Sequence, residues 1–175
     1  MEYSPFARTL HWATAALVAS LVPIGLTMTR LDSGPLQDRL FTLHESFGVL
    51  ALGAGALRIG LRLRGALPPF RAHEPVACAA HVALYAMLVL TPALGWAALS
   101  AYGLGPDVFG VTRLPALLDK DEALSKSLFL VHEAAAFTLV ALVAAHVAGA
   151  LRHGFGPEGV IWRMLPARGS RGDDV

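Results

Sequence analysis

Four long apolar runs set the limits on what this chain can become. They cover roughly residues 10–28, 43–63, 76–101 and 127–151. Each is close to the ~20 residues that a helix needs to cross the hydrocarbon core of a bilayer. Each carries few or no charges; those present are Glu45, Arg58 and Arg62 in the second run and Glu133 in the fourth. Inside lipid every backbone polar group must be satisfied within the chain, so runs of this length are helices. The reading that follows is an all-α fold, an integral membrane four-helix bundle in a single domain over residues 1–175. The composition agrees. Charged residues make up 15% and hydrophobic ones 55%, whereas a soluble domain usually carries about 25% charge.

The first run has a weakly basic start and no small-x-small cleavage site before Arg30, so it is expected to be a retained span. Pro23 and Pro92 fall inside spans, where a local kink is tolerated. The connection over 29–42 has Asp32, Gly34 and Pro35 as turn signals. The connection over 64–75 is basic and rich in proline. The third connection, 102–126, is the longest, and its 114–124 part is expected to form a short helix on the membrane surface. Lys and Arg are distributed unevenly among the segments. Nine lie in or beside the N-terminus, the second connection and the tail: Arg8, Arg58, Arg62, Arg64, Arg71, Arg152, Arg163, Arg168 and Arg171. Five lie beside the first and third: Arg30, Arg39, Arg113, Lys120 and Lys126. The positive-inside rule then places both termini in the cytoplasm. The net charge of +1 gives no basic excess for nucleic acid. The single cysteine, Cys78, excludes an intrachain disulfide and the C-x-x-C-H attachment of a c-type haem.

The chemistry lies in the histidines. His11, His44, His81, His132 and His146 lie in or at the ends of the spans, where an ionisable side chain is costly and marks function. His132 and His146 are 14 residues apart on the fourth run. That spacing rises ~21 Å in nearly four turns, so both rings point to one face, one near each side of the membrane. This arrangement suits two haems stacked along one helix, each needing a second imidazole from another helix at its height. With the termini inside, height pairs His44 with His132 on the far side. On the cytoplasmic side His146 has two candidate partners, His11 and His81. The 14-residue offset recurs, since His11 leads to Gly25, His44 to Arg58 and His81 to Gly95. Glycines at the far-side height let a flat macrocycle approach. Arg58 at the cytoplasmic height can meet a propionate in a charge-assisted bond. Each feature also has a plainer role. Gly25 and Gly95 suit close helix packing, and Arg58 can snorkel. Trp12, Trp96 and Trp162 suit interfacial anchoring, and His73 suits a solvated loop.

These residues carry a family likeness. Arg8-Thr-Leu-His-Trp12 opens the first span, and His44, Gly48 and Arg58-Ile-Gly-Leu-Arg62 mark the second. His81-Val-Ala-Leu-Tyr85, Pro92 and Gly95 mark the third. His132-Glu133, His146, His153 and Trp162-Arg-Met-Leu-Pro166 close the chain. In this order and spacing the chain resembles the bacterial cytochrome b561 family of four-helix, di-haem membrane proteins. The resemblance implies a multi-pass protein of the inner membrane. It also implies two haem b groups whose iron ligands are His11, His44, His132 and His146, without His81. It further implies electron exchange with a membrane quinone, ubiquinone, and for the nearest relatives oxidation of periplasmic superoxide. His153, seven residues past His146 at the membrane edge, is the candidate for proton exchange with the quinone. Two other readings compete. One is the cytochrome subunit that anchors a hydrogenase or dehydrogenase complex. The other is a metal transporter lined by imidazoles, for which Glu45 and Glu133 would be the carboxylates.

Overall fold

The computed structural model describes residues 4–67 and 75–154, with the side chain of His153 excepted. The described residues form four long helices: α1 (Pro5–Met28), α2 (Pro35–Leu63), α3 (Pro75–Tyr102) and α4 (Glu122–Gly154). All four are long and apolar enough to cross a membrane. Leu130, Phe137 and Val147 of α4 and Leu50 and Leu57 of α2 are exposed, as side chains facing lipid tails would be.

Every helix begins before the apolar run that announces it. Proline stands at the first turn of α1 and α2, where its missing N–H costs nothing and its fixed φ favours the helix. The Ser4 hydroxyl caps α1 by accepting the Ala7 N–H at 3.2 Å. The opening turns of α2, Pro-Leu-Gln-Asp-Arg-Leu-Phe-Thr, are amphipathic, so apolar length alone does not reveal them.

Successive helices pack as neighbours, α1 on α2, α2 on α3 and, most extensively, α3 on α4. Small residues allow the close contacts, as membrane packing requires. A Cβ at Gly55 of α2 would stand 3.1 Å from Val89 of α3. Buried Ser125 of α4 donates to the Ala98 carbonyl of α3 at 3.0 Å. Among the described residues α4 has no comparable backbone contact with α1 or α2. The bundle is therefore open along that side, and imidazole rings reach across the gap.

The third connection differs from the surface helix expected over 114–124. Residues 103–121 are not helical, and 122–124 already belong to α4. A small antiparallel hairpin, β1 (Asp107–Val108) and β2 (Thr112–Arg113), folds back onto α2. The remainder is tied down by long-range bonds. Trp96 Nε1–H donates to the Pro115 carbonyl at 3.0 Å, the Leu117 N–H to Ser100 Oγ at 3.0 Å, and the Asp121 N–H to the Ala101 carbonyl at 2.8 Å. A Cβ on Gly105 would collide with the Leu114 carbonyl, so only glycine allows the chain to cross itself there. These tertiary bonds outweigh the weak helical tendency of the segment.

Candidate haem-binding centres

The far-side layer takes one position from each helix: Gly25, His44, Gly95 and His132. The His44 and His132 rings lie edge-on to each other, with centroids 6.2 Å apart and planes at 88°. Each ring lies over a glycine of the preceding helix. A Cβ on Gly25 would meet His44 Cε1 at 2.9 Å, and one on Gly95 would meet His132 Cε1 at 3.0 Å. The space these glycines leave open is thus filled by the imidazoles themselves.

The carbonyl four residues before each glycine lies beside the same ring. His132 Nδ1 is 2.8 Å from the Thr91 carbonyl. A carbonyl can only accept, so Nδ1 carries the proton and Nε2 the lone pair. Leu21 is the corresponding residue beside His44, although His44 Nδ1 lacks hydrogen-bond geometry to any partner and is buried. Thr91 Oγ1 is also buried without a partner.

The other layer, at the end of the bundle that carries the termini and that the charge distribution predicts to be cytoplasmic, holds the residues 14 positions away: His11, Arg58, His81 and His146. His11 and His146 have ring centroids 6.4 Å apart at 55°. His81 approaches His146 more closely, at 5.3 Å and 79°. Arg58 Nε–H donates to Thr14 Oγ1, one turn from His11, at 3.1 Å. One turn further along α2, Arg62 donates to the Tyr85 hydroxyl of α3 at 3.2 Å and lies over its ring at 5.1 Å. The two arginines of α2 thereby link it to α1 and to α3.

The geometry fits the group that the donors imply. Two imidazoles facing each other across one iron, with bonds of about 2 Å and ring nitrogens about 1.2 Å from their centroids, need roughly 6.4 Å between centroids. The far-side pair and the His11–His146 pair have that spacing. Neither carboxylate joins an imidazole pair. Glu133 is exposed, and Glu45 accepts the Asp107 N–H at 2.6 Å. Among the described residues no three His, Cys, Asp or Glu side chains are gathered to cage a metal ion.

The structure places His11, Arg58 and His146, together with His81, in one layer, and Gly25, His44, Gly95 and His132 in another. His153 continues the backbone of α4. His73 and Trp162 lie outside the described residues. The carbonyl of Thr91 and the hydroxyl of Thr14 were missed, and Arg62 and Tyr85 entered only as part of the family likeness. Arg62 and Tyr85 carry a usable signal, each lying four residues beyond a residue of the layer.

Membrane-length helices, facing imidazole pairs and no cysteine pair for covalent attachment define a membrane cytochrome of the b type. Residues 2–167 match the family described as prokaryotic cytochrome b561. The chain is also similar to cytochrome b561 homolog 2 of Escherichia coli (strain K12), being 28% identical over 171 residues that cover 94% of this chain and 91% of the relative. The chain belongs to the prokaryotic cytochrome b561 family. It is a multi-pass protein of the bacterial inner membrane that binds haem and carries electrons.

Proposed function

We propose that the protein holds two haem b groups, one near each face, and carries electrons from a periplasmic donor, superoxide, to ubiquinone at the cytoplasmic side. The observation that carries this reading is the pair of facing imidazole sets, at 6.2 and 6.4 Å, stacked 14 residues apart on α4. His44 and His132 would hold the far-side iron, and His11 and His146 the cytoplasmic one. When bound, haem supplies a one-electron couple tuned by its axial ligands, its burial and nearby charge.

The chain's own residues perform the rest. Gly25 and Gly95 admit the far-side rings, and the Thr91 carbonyl fixes the tautomer that presents His132 Nε2. Arg58 places a positive charge beside His11 and is positioned to meet a propionate. His153, at the end of α4, exchanges protons with the quinone. Arg30, Arg39, Lys120 and Lys126 on the far side would draw in an anion, although Asp32, Asp38, Asp119, Asp121 and Glu122 lie among them. In the net reaction two superoxide ions become two O₂, and one ubiquinone takes up two electrons and two protons.

The test uses detergent-purified protein. A sharp reduced α-band, two haems per chain, and superoxide-driven ubiquinone reduction are expected. A colourless protein overturns the reading. A His153→Ala variant with both haems and an undiminished rate of quinone reduction removes that residue from the mechanism. Co-purification of a large soluble subunit would favour the anchoring-subunit reading instead.

A further inference from the structure

We propose that His81 sets the two centres at different potentials, because its own ring takes the Ala77 carbonyl and so denies His146 the backbone hydrogen bond that His132 makes. On the di-haem reading above, His81 is then a positioning residue that acts on the cytoplasmic centre through His146.

Gly95 of α3 lies against the His132 ring of α4, and His81 of α3 lies against the His146 ring. His81 stands 14 residues before Gly95, and His146 stands 14 after His132. The two contacts are therefore equivalent places in one antiparallel register, nearly four turns apart. In each, the same backbone group stands beside the contact, the carbonyl four residues before the α3 member. On the far side it belongs to Thr91, and His132 Nδ1 lies 2.8 Å from it. On the cytoplasmic side it belongs to Ala77, and the ring nitrogen 2.6 Å from it is His81 Nδ1. A helical carbonyl gives one lone pair to its ladder N–H and has one left for a ring. His81 takes that one. Glycine, at the far-side place, has no side chain with which to do so. The His81 ring stands edge-on to His146 instead, with centroids 5.3 Å apart.

A carbonyl can only accept, so Nδ1–H is the donor in both bonds. For a ligating imidazole, a bond from this N–H to a carbonyl raises its basicity. A more basic axial ligand favours ferric over ferrous iron and lowers the potential. His132 gains this effect and His146 does not. The far-side centre is thereby set lower and the cytoplasmic centre higher. Arg58, the positive charge beside His11, acts in the same sense, since a cation favours the reduced state. Electrons then pass downhill from the far side to the cytoplasmic side, although both centres have the same pair of imidazole ligands.

The experiment compares His81→Gly with His81→Phe in the purified, haem-loaded protein, by redox titration and low-temperature EPR. His81→Gly gives the cytoplasmic place the residue found at the far-side place, and opens the Ala77 carbonyl to His146. Its cytoplasmic midpoint should fall by a roughly tenfold change in the redox equilibrium, which is about 59 mV for one electron. The far-side midpoint and both low-spin signals should persist. His81→Phe removes the same imidazole but keeps a ring over the carbonyl, so both midpoints should stay in place. An unmoved midpoint in His81→Gly, or an equal fall in both variants, overturns the proposal. Should His81→Gly not be recoverable, His44→Ala decides the matter. It is expected to lose the far-side low-spin signal, so the midpoint that survives is the cytoplasmic one. That midpoint should match the higher of the two in the unaltered protein, and a match to the lower overturns the proposal. If the unaltered protein holds no bis-imidazole haem, the di-haem reading fails instead.

Discussion

At the scale of single residues, the far-side glycines are the sharpest test of the site. Gly25 and Gly95 lie in helices, where glycine is usually unfavourable by roughly 0.5–1 kcal/mol relative to alanine. Their neighbours explain the choice. A methyl group on Gly95 would approach His132 Cε1 at 3.0 Å and Nδ1 at 3.1 Å, forcing the ring off the Thr91 carbonyl. Gly95→Ala should therefore release or misalign the far-side haem, read as loss of one low-spin signal. Gly48→Ala is the control, because nothing lies within 4 Å of a Cβ there, and both signals should persist. Arg58 makes a second prediction at this scale. Removing a positive charge beside the cytoplasmic centre disfavours its reduced state, so Arg58→Ala should lower that haem's midpoint by tens of millivolts. A tenfold change in equilibrium corresponds to about 59 mV for one electron. An unchanged midpoint would reduce Arg58 to a tie between α2 and Thr14.

At the scale of elements, the third connection behaves as a clasp on α2. Ser46 is fully buried. Its hydroxyl accepts the Phe109 N–H at 2.8 Å and lies 2.5 Å from the Thr42 carbonyl and 3.2 Å from that of Asp107. It holds Phe109 at φ 56°, a left-handed conformation uncommon for an aromatic residue. Ser46→Ala removes the acceptor of the Phe109 N–H, a loss of about 0.5–1.5 kcal/mol for an ordinary hydrogen bond. Proteolysis within 107–113 should speed up while the cytoplasmic haem signal stays unchanged. The clasp was not legible in the sequence. Residues 107–113 offer only Asp107 and Gly110 as turn signals, and their partners Glu45 and Ser46 lie more than 60 positions away. The spans were legible because lipid leaves a long apolar run only one backbone solution. Their ends were not, because the opening turns of α2 and α4 are polar and helical together. The two layers were legible because a 14-residue offset is close to four whole turns. The glycines' partner was not, since periodicity places a residue at a height without saying whether a macrocycle or an imidazole fills the space above it.

At the scale of the whole molecule, direction is what turns two centres into a path across the membrane. By the positive-inside rule the excess of Lys and Arg, nine against five, predicts that both termini lie inside, and the exposed ends of the bundle allow this to be tested. Val111, at the tip of the hairpin, is 86% exposed, and Val76, at the start of α3, is 82% exposed. They lie at opposite ends of α3 and its connection. With Cys78 replaced by alanine, a Val111→Cys variant should react with a membrane-impermeant maleimide on intact spheroplasts. A Val76→Cys variant should react only after permeabilisation. The reverse pattern would invert the molecule. The hairpin and its clasp would then face the cytoplasm, and His153 would sit at the periplasmic surface. The His44–His132 centre would also lie on the inner side, away from any periplasmic superoxide. The labelling therefore tests the proposed direction of electron flow independently of any assay of its rate.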